Sequence, residues 1–201
     1  MPLSVQEAIE HLYRVAVVEE KTTSPARLSR LADFCVQELE ARGLRGVGAE
    51  VPVEGFGRVK QWDVAWHHAG KARLGISLKS LLKNIPGTVP NRIDDLIGEV
   101  ANAQLHSPEI VIGYIMVFDR SQDTFSAKHD STWLELLRSR LEQLSHRAPP
   151  AWATGTFEGL VLAEVDFSEG PLLCSDPSDF DGFFDRLVGH VKSRNPVALT
   201  D

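Results

Sequence analysis

Between Arg58 and Ser80 the chain reads RVKQWDVAWHHAGKARLGISLKS, and no other stretch constrains the fold as strongly. Two short apolar runs each lie beside a charged residue, Asp63 in the first and Lys79 in the second, and the polar segment HHAGKAR joins them. The pattern predicts an antiparallel hairpin with strands near 58–67 and 73–79. An Asp and a Lys are thereby set side by side on a small sheet, where burying both is costly unless they pair or hold a metal. A carboxylate and an ammonium poised together are also parts for metal-assisted phosphodiester hydrolysis.

Around this hairpin the periodicity alternates between helix and strand. A first helix is expected over 4–18, with Val5, Ala8, Ile9, Leu12, Val15 and Ala16 on one face. A second starts at Ser24-Pro25 and closes at Gly43, with Leu28, Leu31, Ala32, Cys35 and Leu39 as its apolar stripe. Residues 47–53 read as a strand, placed at an edge by Pro52. The segment SLLKNIPGTVP at 80–90 reads as a loop, followed by a helix capped at Asn91 and running to Leu105. IVIGYIMVF at 110–118 is almost wholly apolar, as expected of a central strand covered on both faces. A helix over 131–145, a strand over 159–167 and a last helix over 178–193 complete the order, with a frayed tail after Pro196. The expectation is one α/β domain over 1–201 with a mixed central sheet flanked by helices.

Composition narrows the class. Apolar residues make up 43% of the 201 and charged residues 24%, an ordinary globular balance. No apolar run reaches the length of a membrane span, no signal peptide is evident at the start, and the two distant cysteines, Cys35 and Cys174, point to a reducing cytoplasm. The formal charge of −7 works against a stand-alone nucleic-acid binder, because such binding draws on Lys and Arg at phosphates. Clustered basic residues, a dimer or a partner's positive surface would be needed.

The hairpin resembles the active-site hairpin of the PD-(D/E)xK nuclease superfamily, to which restriction endonucleases belong. The resemblance covers residues 24–118 and implies a restriction-endonuclease-like αβββαβ core. It also implies a Mg²⁺-dependent endodeoxyribonuclease, with Mn²⁺ as a substitute ion, of the restriction or phage-defence kind. In that scheme Asp63 is the principal metal ligand, the Leu78 carbonyl adds an oxygen, and Lys79 stabilises charge beside the attacking water. The second carboxylate normally stands two residues before the lysine, where this chain has Ser77. Some restriction endonucleases share that serine and carry the acid on the next helix. The helix NRIDDLIGEVANAQ offers Asp94, Asp95 and Glu99. Leu96 and Val100 flank Glu99 at helical spacing, which favours Glu99, with Asp95 in reserve. The family's first core helix often supplies a further acid, for which Glu38 is preferred over Glu40. Gln61 is placed to bond metal waters or phosphate, and Lys60 and Arg58 to contact the DNA backbone. Cutting both strands implies a homodimer or a larger complex.

Plainer alternatives stand beside these. Asp63 and Lys79 would equally form a structural cross-strand ion pair, and Glu99 a solvated helix carboxylate. The chain would then be an α/β binding module. A nuclease-fold subunit of a multi-protein defence complex, inactive or active only with a partner, is the other reading, favoured by Ser77 and the acidic charge. His67 and His68 are adjacent strand residues facing opposite sides, so they do not chelate one ion. No CxxC, HExxH, GxxxxGK[ST] or GxSxG motif occurs, and Trp62, Trp66, Trp133 and Trp152 are expected as packing residues.

Overall fold

A computed structural model describes residues 2–195; the expected frayed tail after Pro196 lies outside them. Helix α1 (Val5–Tyr13) is opened by a reciprocal capping box between Ser4 and Glu7 and continues as a π-helical turn over Arg14–Val18. A 3₁₀ turn with Pro25 at its start leads into α2 (Ser29–Ala41). Three strands follow: β1 (Gly48–Val53), β2 (Lys60–His68) and β3 (Lys71–Leu81). Ala69 and Gly70 alone turn the β2–β3 hairpin, both at positive φ (51° and 74°), as a two-residue turn of primed type requires.

Helix α3 (Ile85–His106) begins six residues before the expected cap at Asn91, so most of the predicted 80–90 loop is helical. Pro86 sits in the first turn, where a missing N–H has no helical partner to lose. Ile85 and Val89 are buried at a spacing of four, which carries the stripe of Leu96 and Val100 back through the prolines. Strand β4 (Val111–Asp119) is buried throughout, as its composition demanded. Two short strands not foreseen, β5 (Phe125–Ser126) and β6 (Ser131–Thr132), lead to α4 (Trp133–Leu144), whose start is another capping box, Thr132 with Glu135. Strand β7 (Gly159–Asp166), a further two-residue strand β8 (Leu172–Leu173) and α5 (Ser178–Arg194) end the described chain.

One six-stranded sheet runs β1-β2-β3-β4-β7-β8. The β1–β2, β2–β3 and β7–β8 pairs are antiparallel, and β3, β4 and β7 are parallel. Alternation along the strands divides the core in two. Val64, Ile76, Leu78, Ile115 and Ala163 pack beneath α1, α2 and α5, whereas Trp62, Ile112, Tyr114, Met116 and Phe118 pack beneath α3 and α4. Gly113 and Gly159 pair across β4 and β7 under Phe183 and Leu187, so α5 lies close on the sheet where a Cβ would clash. Among the described residues no helix is long and apolar enough to cross a membrane.

At the start of β7, Glu158 is fully buried and its Oε1 accepts from Arg147 (3.3 Å) and Arg194 (2.6 Å). Its Oε2 takes the Ile112 N–H at 2.7 Å. Trp152, expected as a packing residue, is 39% exposed and lies over both guanidinium groups, whereas Trp62, Trp66 and Trp133 are buried.

Candidate active site

The hairpin is paired only along part of its length. Its ladder runs from His68↔Lys71 to Val64↔Ile76 and stops short of Asp63. There the side chain replaces the missing strand bond, with Asp63 Oδ2 accepting the Leu78 N–H at 2.7 Å. Strand β2 is irregular at this point. Trp62 and Val64, two residues apart, enter opposite cores, and Glu50, between the β1 residues that pair with them, has φ +51°. This local distortion turns Asp63 into the gap between β2 and β3.

Lys79 and Ser77 leave β3 on the α3 side, and Glu99 descends from α3 to meet them. Lys79 Nζ stands 3.7 Å from Asp63 Oδ2 and 3.7 Å from Glu99 Oε2. The Ser77 hydroxyl donates to Glu99 Oε2 at 3.4 Å. Lys60, at the start of β2, holds Glu99 Oε1 at 3.0 Å. Two carboxylates and two ammonium groups thus share one cluster, with Glu99 the most deeply placed at 6% exposure.

Burial is the largest influence on Asp63 and raises its pKa; the Lys79 charge and the Leu78 N–H oppose it, and Glu99 adds to it. The Cys35 thiol is pushed up by burial first, then by Asp63 and Glu38. It is a buried structural thiol, as the helical stripe implied. Tyr114, opposite Ser77 on β4, has its pKa raised by burial and then by Glu99, and its hydroxyl is buried without a hydrogen-bond partner among the described residues.

Of the residues singled out from the sequence, Asp63, Ser77, Leu78, Lys79 and Glu99 come together. Asp95 is exposed and faces Arg92 at 3.4 Å, and Asp94 is exposed as well. Glu38 does not join the cluster: Arg42 holds it at 2.6 Å and also binds Asp181 and Asp185 of α5, so the acid helps fix an arginine that ties α2 to α5. Lys60, expected at the DNA backbone, pairs with Glu99, because β2 carries it beneath α3. Arg58 and Gln61 are exposed. Sequence reasoning missed Arg27, whose half-buried guanidinium donates to Ser80 Oγ at 3.1 Å and feels the charges of Arg92 and Asp63. It also missed Glu50, whose carboxyl is raised by burial and by Asp63. Neither stands in a motif; only the fold brings them near.

A cleft of about 410 Å³ opens beside Glu99, lined by Arg58, Lys60, Asp94, Asp95 and Asn102. Asn102 fixes its rim, donating to the Arg58 carbonyl at 3.0 Å and accepting the Gly57 N–H at 2.8 Å. Among the described residues no group of three or more His, Cys, Asp or Glu is arranged to hold a metal. The side-chain donors present are hard oxygens: two carboxylates and the Ser77 hydroxyl. That set suits an ion such as Mg²⁺, which takes one or two carboxylates and keeps several waters. No protein-family model matches the chain, and no curated protein sequence matches it.

Proposed function

We propose that the protein is a divalent-metal-dependent endonuclease of the PD-(D/E)xK type that hydrolyses phosphodiester bonds in DNA, in restriction or phage defence. The observation that carries this reading is the meeting of Asp63, Lys79 and Glu99 where β2 and β3 part. The order α2-β1-β2-β3-α3-β4 is the order that the resemblance implies, and it supports the reading.

Asp63 and Glu99, with the Leu78 carbonyl, would hold the ion. Mg²⁺ when bound supplies Lewis acidity and a water of lowered pKa. Lys79, between the two carboxylates, is the cation available to the non-bridging oxygens of a phosphate seated there. Ser77 orients the Glu99 carboxylate through Oε2, so part of the ligand geometry is set before substrate arrives.

Incubating the purified chain with supercoiled plasmid and Mg²⁺ or Mn²⁺ tests the proposal. Cleavage is expected, lost on chelation and reduced about 10²–10³-fold by Lys79→Ala, the usual effect of deleting one group that stabilises developing charge. Cleavage unaffected by Lys79→Ala overturns the assignment. A second reading, a subunit that cuts only with a partner, is favoured by the charge of −7, and its mark is cleavage appearing only when a second protein is added.

A further inference from the structure

We infer that Lys60 is a resident counter-ion of the cation seat: it competes with a divalent ion for Glu99 and, once displaced, becomes a phosphate-binding group. The inference rests on the metal-dependent reading above and deepens it.

Every oxygen of Glu99 is already taken. Oε1 carries the Lys60 ammonium at 3.0 Å, and Oε2 carries Ser77 Oγ at 3.4 Å with Lys79 at 3.7 Å. A carboxylate this buried needs its counter-charge, and the nearer ammonium is Lys60, not Lys79. A divalent ion held by Asp63 and Glu99 would compete with the nearer ammonium for Oε1, because a lysine at hydrogen-bond distance and a metal cannot occupy the same carboxylate oxygen side by side without strong repulsion.

The two lysines differ in what they can do when the ion arrives. Lys79 also faces Asp63 and stays in the cluster. Lys60 has Glu99 as its ionic partner, keeps about a third of its side chain in solvent and lines the cleft that runs past Arg58 and Asn102, with the exposed Asp94 and Asp95 on the α3 side of the same cleft. Its long stem can swing outward into that cleft, where a nucleic-acid backbone approaching Lys79 would pass. Binding of the ion and of DNA would therefore be coupled: the ion frees an ammonium, and a phosphate that captures the ammonium makes Glu99 a better ligand.

Mn²⁺ binding, followed by electron paramagnetic resonance without DNA, is the test. Lys60→Met should bind Mn²⁺ about tenfold more tightly than the natural chain, a value well below the bare Coulomb figure because the lysine is partly solvated. Lys60→Gln, which keeps polarity, should do the same, and Glu99→Gln should abolish the gain. DNA binding in Ca²⁺ should lose about one unit of its salt slope in Lys60→Met. If Lys60→Met and Lys60→Gln bind Mn²⁺ no more tightly, while Asp63→Asn and Glu99→Gln weaken binding, the counter-ion role is wrong and the metal reading stands. If Asp63→Asn and Glu99→Gln leave Mn²⁺ binding unchanged, both fall together.

Discussion

Gly75→Ala should damage the fold and the candidate site at once. Gly75 pairs with Ala65 across the hairpin, two residues before Ser77 on β3, and the benzo ring of Trp62 lies on it. A Cβ there would stand 2.6 Å from Trp62 Cε3 and 2.8 Å from Cζ3, inside any real carbon contact. The indole is 1% exposed and rigid, so it cannot step aside as a flexible side chain would. Overpacking of this kind costs about 1–3 kcal/mol, and a rigid ring against backbone belongs at the top, about 3 kcal/mol. For a chain of this length that lowers the melting temperature by about 6–12 °C. Trp62 also precedes Asp63, so moving the ring shifts the carboxylate, and misplacement by about 1 Å can cost about 10²-fold in rate. Thermal melting, Trp fluorescence and plasmid cleavage read the three effects. Adding Trp62→Leu should recover part of the lost stability, with a favourable coupling in the double-mutant cycle. A Gly75→Ala protein that melts within about 2 °C of the natural chain, with unchanged fluorescence, refutes this account of the hairpin.

The hairpin is legible in the sequence because strand alternation is local, and so is the pairing of Asp63 with Lys79. Glu99 is legible because Leu96 and Val100 fix which face of α3 it shares. The start of α3 is not, since Pro86, Gly87 and Pro90 mask a stripe that Ile85 and Val89 in fact carry. Glu38 falls outside the cluster because its partner Arg42 is fixed by Asp181 and Asp185, which lie far along the chain. The same distance hides the Arg147–Glu158–Arg194 group. Strands of two residues, such as β5, β6 and β8, are too short to show any period. Lys60 illustrates the limit best: its spacing from Asp63 gives its strand, but the bond to Glu99 depends on how α3 crosses the sheet.

Two further outcomes follow from buried charge. Glu158→Gln should lower stability by about 3–5 kcal/mol, because two buried guanidinium groups lose their counter-charge. Melting should fall by about 6–20 °C, and a fall under about 3 °C would show that the Arg pair needs no carboxylate. Asp63 works in the opposite direction. Burial holds its folded pKa above the unfolded one even with Lys79 beside it, so between those two values the folded chain binds more protons than the unfolded chain. The stability Asp63 contributes is therefore full below the unfolded value and lost as pH rises through the folded one. Asp63→Asn keeps an acceptor for the Leu78 N–H but removes the charge, so in EDTA at a pH above both values it should melt above the natural chain. The difference should close below the ordinary aspartate range, where the natural residue is protonated in both states. In Mg²⁺ the order should reverse, because the ion stabilises only the carboxylate form. An Asp63→Asn protein less stable than the natural chain in EDTA at that higher pH would mean that Asp63 and Lys79 are a stabilising ion pair and not a strained cation seat.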